Sequence, residues 1–244
     1  MTWFDAVIFP VAVLSGATAA VVGFGIGSLL TPLLAMKVGA PVAVAAVALP
    51  HAAATALRCW RLRRSIDREV LGTFGLLSAA GALAGALLYA RIGGRALTAS
   101  LGALLILTAA VGLTRWSTRW RPRGPLVWFL GLASGFFGGL AGNQGGARAA
   151  ALGAFGLAPT QFVATATAIA LLVDAVRTPV YLWRAGTSLV PLSVSIAIAS
   201  VGVLVGTLLG ERILLGMPME RFRRVVSFAI GALGIWLVVS ATER

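Results

Sequence analysis

The chain has 244 residues, of which 59% are hydrophobic and 11% charged, and its formal net charge is +13. Soluble domains carry about 25% charged residues, so this composition, with a mean hydropathy of +0.96, excludes a soluble globular protein, a disordered chain and a disulfide scaffold. A nucleic-acid binder would carry its arginines on a polar surface, which this chain largely lacks, so no nucleic-acid partner is expected and the partner of its surface is the lipid bilayer.

Charge-free runs, His51 ignored, cover 6–36, 38–57, 70–90, 96–114, 124–147, 149–173, 185–210 and 225–242. Runs of about 18 or more residues read as helical spans, so the expected fold is an all-α integral membrane protein of about eight hydrophobic segments. Eight spans use about 160 residues, which leaves no room for a soluble catalytic domain. The apolar residues come in blocks rather than alternating, which argues against a barrel. The first run lacks a basic n-region and is too long for an h-region, so it does not read as a signal peptide. Trp3, Trp60, Trp116, Trp120, Trp128, Trp183 and Trp236 all fall near run ends, where an interfacial belt belongs.

The first run is too long for one straight span: 31 residues would make a helix of about 46 Å, against a hydrocarbon core of about 30 Å. It carries the glycine cluster Gly23-Phe-Gly-Ile-Gly27, and the run 124–147 carries a second cluster over 138–146. Glycine interrupts helices cheaply, and a broken helix is tolerated in a bilayer only where it lines protein or a wet cavity. Each first segment is therefore expected to be two half-helices meeting near the midplane.

Shifting the chain by 119 residues lays Ser15-Gly16 on Ser134-Gly135, Gly23 and Gly27 on Gly142 and Gly146, and Arg58 on Arg177. After a two-residue slip, Gly81 and Gly85 meet Gly202 and Gly206. The expected organisation is a first repeat over 1–114, a basic linker over 115–125 and a second repeat over 126–244, each repeat with four hydrophobic segments. Such duplication is a transporter plan, with substrate held between the repeats. The positive-inside rule puts 58–68 and 115–123 in the cytoplasm. If all runs cross, the termini are cytoplasmic; if each first segment is re-entrant, they lie outside and the halves are inverted.

Of the seven acids only Asp174 lies inside a hydrophobic segment, and Arg177, one turn on, can pair with it. Arg148 interrupts the apolar chain just after the second cluster. Intramembrane ionisable groups default to a functional reading; the alternative is that Arg177 snorkels and Asp174 neutralises it. A half-helix starting in the membrane offers unpaired amides and the positive end of its dipole, an anion site needing no side chain. Gly25, Gly27 and Ser28, and Gly145 and Gly146, would open the second half-helices, and Asn143 and Gln144 add amide donors. These residues, with Arg148 and Arg177, are the substrate-site candidates, and the expected ligand is a small anion. Gly81, Gly85, Gly202 and Gly206 read instead as close helix packing. His51, followed one turn later by Thr55, is with Asp174 the candidate for proton coupling; Thr165 and Thr167 are further hydroxyl donors. No HExxH, intramembrane aspartate pair, CxxC, nucleophile elbow or P-loop occurs, so no enzyme, metal or cofactor is expected. The lone Cys59 reads as packing.

The run S-G-x(6)-G-F-G-I-G-S-L-L-T-P-L-L, the loop ending Gly39-Ala-Pro41, the Ala/Val-rich second helix closing in an Arg-rich loop, and the second S-G-x(6)-G cluster over 134–146 resemble the TauE/SafE, or TSUP, sulfite-exporter-like permeases. That resemblance covers essentially the whole chain. It implies a secondary carrier in the bacterial inner membrane for sulfite, thiosulfate, sulfoacetate or other sulfonates, proton-coupled, working by alternating access. The polar stretch Gly142-Asn-Gln-Gly-Gly146 and the following Arg148 depart from the mostly glycine and apolar cluster of many members. A passive anion channel and a non-transporting assembly subunit are the other readings, and a homodimer is compatible with so compact a bundle.

Overall fold

The computed structural model describes residues 3–23, 25–114, 124–143, 145–214 and 219–242. Every regular element there is helical. In chain order these are α1 (Trp3–Val22), α2 (Ile26–Val38) and α3 (Ala40–Leu62), then α4 (Arg68–Tyr89), which contains one π turn at Leu71–Gly75, and α5 (Gly94–Leu113). After residues 115–123 of the basic linker, which lie outside the described residues, come α6 (Pro125–Ala141), α7 (Gly145–Leu152), α8 (Pro159–Leu189), α9 (Ser193–Leu214) and α10 (Met219–Thr242).

Both long first runs are broken at their glycines. Helix α1 stops before Gly23 (φ 87°), and α6 stops at Gly142 (φ 72°), a backbone angle only glycine adopts freely. With 13 residues, α2 is about 20 Å long and cannot cross a core of about 30 Å. The run 149–173 is not one helix. Its first residues finish α7, Gly156 turns the chain with φ 65°, and α8 starts at Pro159 and runs past Asp174, Arg177 and Arg184 to Leu189. Charge ends a span only when it must reach water; Asp174 and Arg177 satisfy each other inside the bundle.

The packing is reciprocal. Helix α1 packs along α9 and α4 along α6, while α5 packs on α10 and α3 on α8. Small residues make these contacts possible. A Cβ on Gly85 would lie 2.0 Å from the Phe136 carbonyl oxygen, and one on Gly139 2.0 Å from that of Ala82. Across α1 and α9, a Cβ on Gly206 would lie 1.9 Å from the Val13 oxygen and one on Gly16 2.2 Å from the Val203 oxygen. Lipid tails are as apolar as leucine, so helices associate in a bilayer through such close van der Waals contact. Other large apolar side chains face outward: Leu76, Phe129, Val194 and Phe228 are all more than half exposed. Helices α3 and α8 form the centre, rich in buried alanine.

Candidate functional site

The two breaks meet. A Cβ on Gly27, in the first turn of α2, would lie 2.5 Å from the carbonyl oxygen of Gly142, and Ser28 donates to Asn143 Oδ1 at 3.2 Å. Asn143 in turn reaches Thr108 of α5 at 3.4 Å. The first hydrogen bond within α2 runs from Leu29 N to Gly25 O, and no side chain caps the helix. The amides of Ile26, Gly27 and Ser28 thus have no partner within the helix. Gly145 starts α7 on the other side of the junction, with Gly146 in its first turn; Gln144 lies outside the described residues.

Beside the junction, the central helices α3 and α8 bring together a buried polar chain. His51 Nδ1 donates to Asp174 Oδ2 at 2.7 Å, and the Thr55 hydroxyl is 3.4 Å from the same nitrogen. Since a carboxylate only accepts, the proton sits on Nδ1, and Nε2 is left as the ring atom that takes or releases another. Asp174 Oδ1 accepts from Arg177 Nε at 3.0 Å and lies 2.8 Å from its Nη2. Arg177 Nη1 donates to Gly138 O at 2.6 Å, at the carbonyl end of α6, where a cation also meets the negative pole of the helix dipole. Tyr181 adds its hydroxyl to Gly139 O. All three guanidinium nitrogens of Arg177 therefore have protein partners.

Two further arginines are buried here. Arg148 donates to Ala166 O at 2.7 Å. Arg58, in the last turns of α3, donates through Nη1 to Ala19 O, and its Nη2 lies 3.5 Å from Thr55 Oγ1. Sequence reasoning put Arg58 with the cytoplasmic basic loop; the structure buries it, because α3 carries it over the end of α1. The 119-residue offset from Arg177 was the signal that could have found it. Among the described residues, the buried arginines and carboxylates are Arg58, Arg148, Arg177 and Asp174, three cations to one anion. Thr31 Oγ1, near Gly27, is buried without a hydrogen-bond partner. By contrast, Thr165 accepts from the Asp67 amide, a loop-tying role. A cavity of about 250 Å³ opens elsewhere, between the starts of α3 and α5 and the end of α10; its walls include none of the site's side chains.

The junction region thus combines two opposed helix breaks, the unpartnered donors Thr31 Oγ1 and Arg58 Nε, and three buried arginines against one buried carboxylate. Among the described residues no three metal-ligating side chains cluster. Five helical stretches of the described residues are long and apolar enough to cross a membrane, which makes this a multi-pass membrane protein. The chain belongs to the sulfite exporter TauE/SafE family, whose model it matches over residues 8–237. No curated protein and no solved structure gives a match.

Proposed function

We propose that the chain is a secondary carrier of a small sulfur oxyanion or organic sulfonate across the bacterial inner membrane, with the substrate held where the two helix breaks meet. The observation that carries this reading is the contact of Gly27 with Gly142 beside a cluster of three buried arginines and one carboxylate. Desolvating an oxyanion costs many kcal/mol unless it is paired and hydrogen-bonded, and this junction offers both kinds of compensation. Gly25, Gly27 and Ser28 with Gly145 and Gly146 contribute backbone amides, and Ser28 and Asn143 contribute side-chain groups. Gln144 belongs to the same turn in sequence. Arg148 and Arg177 make the local potential positive.

The two sets of five helices descend from one duplicated unit. What supports this is the 119-residue offset, which relates Gly23 to Gly142 and Arg58 to Arg177, together with the reciprocal packing of α1 on α9 and α4 on α6. Rocking of one set against the other would expose the junction to each side in turn. The His51–Asp174 pair couples transport to protons: protonation of His51 Nε2 weakens the hold of Asp174 on Arg177 and so changes the charge met by the substrate.

Counterflow in proteoliposomes tests the proposal. Vesicles preloaded with sulfite or thiosulfate should transiently accumulate labelled anion from a dilute external pool. Downhill flux that does not saturate and shows no counterflow would mean a channel, and no flux of any sulfur anion would end the reading.

A further inference from the structure

We infer that the anion's charge is met by the Nε–Nη2 edge of Arg58, with Thr55 beside it, and that the bound anion takes in the first half of the protein the position that the Asp174 carboxylate takes in the second. The inference rests on the carrier reading above and narrows it to one guanidinium.

Arg58 and Arg177 use the same nitrogen, Nη1, for the same task, holding a carbonyl at the end of α1 or of α6. They differ at the opposite edge. In Arg177 that edge is filled: Nε and Nη2 both reach Asp174 Oδ1. In Arg58, Nη2 has only the Thr55 hydroxyl at 3.5 Å, and Nε is buried without any hydrogen-bond partner. Thr55 is the residue that the 119-residue offset places on Asp174. The carboxylate present in one half is therefore a hydroxyl in the other, and a guanidinium that is 4% exposed keeps an unmatched edge.

A planar guanidinium edge fits two oxygens of one oxyanion, whether carboxylate, sulfite or sulfonate. A buried cation with an unused edge is costly, and an anion with two oxygens relieves that cost. The Thr55 hydroxyl is free to donate to a third oxygen. It also lies 3.4 Å from His51 Nδ1, so the anion would sit next to the proton-carrying pair, which joins substrate binding to protonation through adjacent groups. Both α1 and α3 pack against α9 of the second set, so the anion reaches the buried edge as the two sets of helices part.

The test is to supply the carboxylate covalently. Thr55→Asp should fold, melt without ligand at or above the wild-type temperature, and bind sulfite and thiosulfate at least tenfold more weakly. Thr55→Asn, the uncharged isostere of that aspartate, should still bind saturably and lose several-fold less affinity than Thr55→Asp. Should Thr55→Asp fail to fold, Arg58→Lys serves the same purpose: it keeps a cation for Ala19 but loses the edge, and it should also lose at least tenfold in affinity. Wild-type affinity in folded Thr55→Asp or in Arg58→Lys would overturn the inference while leaving the carrier reading intact. Absence of saturable sulfite or thiosulfate binding in the wild type would remove both.

Discussion

Arg58 and Arg177, 119 residues apart, each hold through Nη1 the carbonyl four residues before the glycine at which a helix ends: Ala19 before Gly23, and Gly138 before Gly142. The glycine amides close onto the same two carbonyls. A helix that stops inside a bilayer leaves carbonyls with no water to satisfy them, and a cation there also meets the negative end of the dipole. The arginines are thus part of what lets the two breaks exist.

The losses from removing the two partners of the Arg177–Asp174 pair should not add. Arg177→Gln leaves a buried carboxylate whose remaining partner is His51, and a loss of about 3–5 kcal/mol is expected. The double variant Arg177→Gln/Asp174→Asn should be destabilised by less than the sum of the single changes, since the two side chains share one network. Detergent-denaturation midpoints for the four proteins measure this; additive losses would show that the pair is not coupled.

The glycines separate into packing and junction positions, and alanine substitution should tell them apart. Gly85→Ala drives a methyl into the Phe136 carbonyl and should cost about 1–3 kcal/mol as overpacking. Gly186 of α8 has nothing within 4 Å of an added Cβ, so Gly186→Ala should be neutral or stabilise by up to about 1 kcal/mol. Thermal midpoints that fall equally for both would contradict the close approach of α4 to α6.

The proposed proton-coupling role of His51 predicts a split phenotype. His51→Gln should retain counterflow of sulfite at equal pH on both sides but lose accumulation driven by a pH gradient. A variant that still concentrates anion against its gradient when the pH step is imposed would take His51 out of the coupling path.

Much of the fold was legible because bilayer insertion leaves a one-dimensional signal. The charge-free runs located α3, α4, α5, α9 and α10, and the glycine clusters located both breaks, since glycine is the residue that ends a helix where no water can cap it. The rule failed over 149–173, where Asp174 and Arg177 stand inside α8. A charge that finds its partner one turn away does not end a span, and charge counting alone cannot separate it from a loop. The same blindness assigned Arg58 to a cytoplasmic loop. Burial of an arginine depends on which helix end lies under it, here that of α1, which is a three-dimensional fact. The offset between the halves carried that information indirectly, by aligning Arg58 with an arginine already suspect. That Ser28 and Asn143 belong to one site followed from the paired glycine clusters, but their direct contact did not, because it depends on how the two halves pack.

The proposed carrier binds a sulfur oxyanion where the breaks meet. Equilibrium binding of labelled sulfite and thiosulfate to detergent-solubilised wild type and to Ser28→Ala/Asn143→Ala tests it most directly, with unliganded melting temperatures as the check on folding. Saturable wild-type binding, weakened at least tenfold in a double variant that melts normally, is the expected result. Equal affinity in the two proteins would place the anion elsewhere and contradict the account.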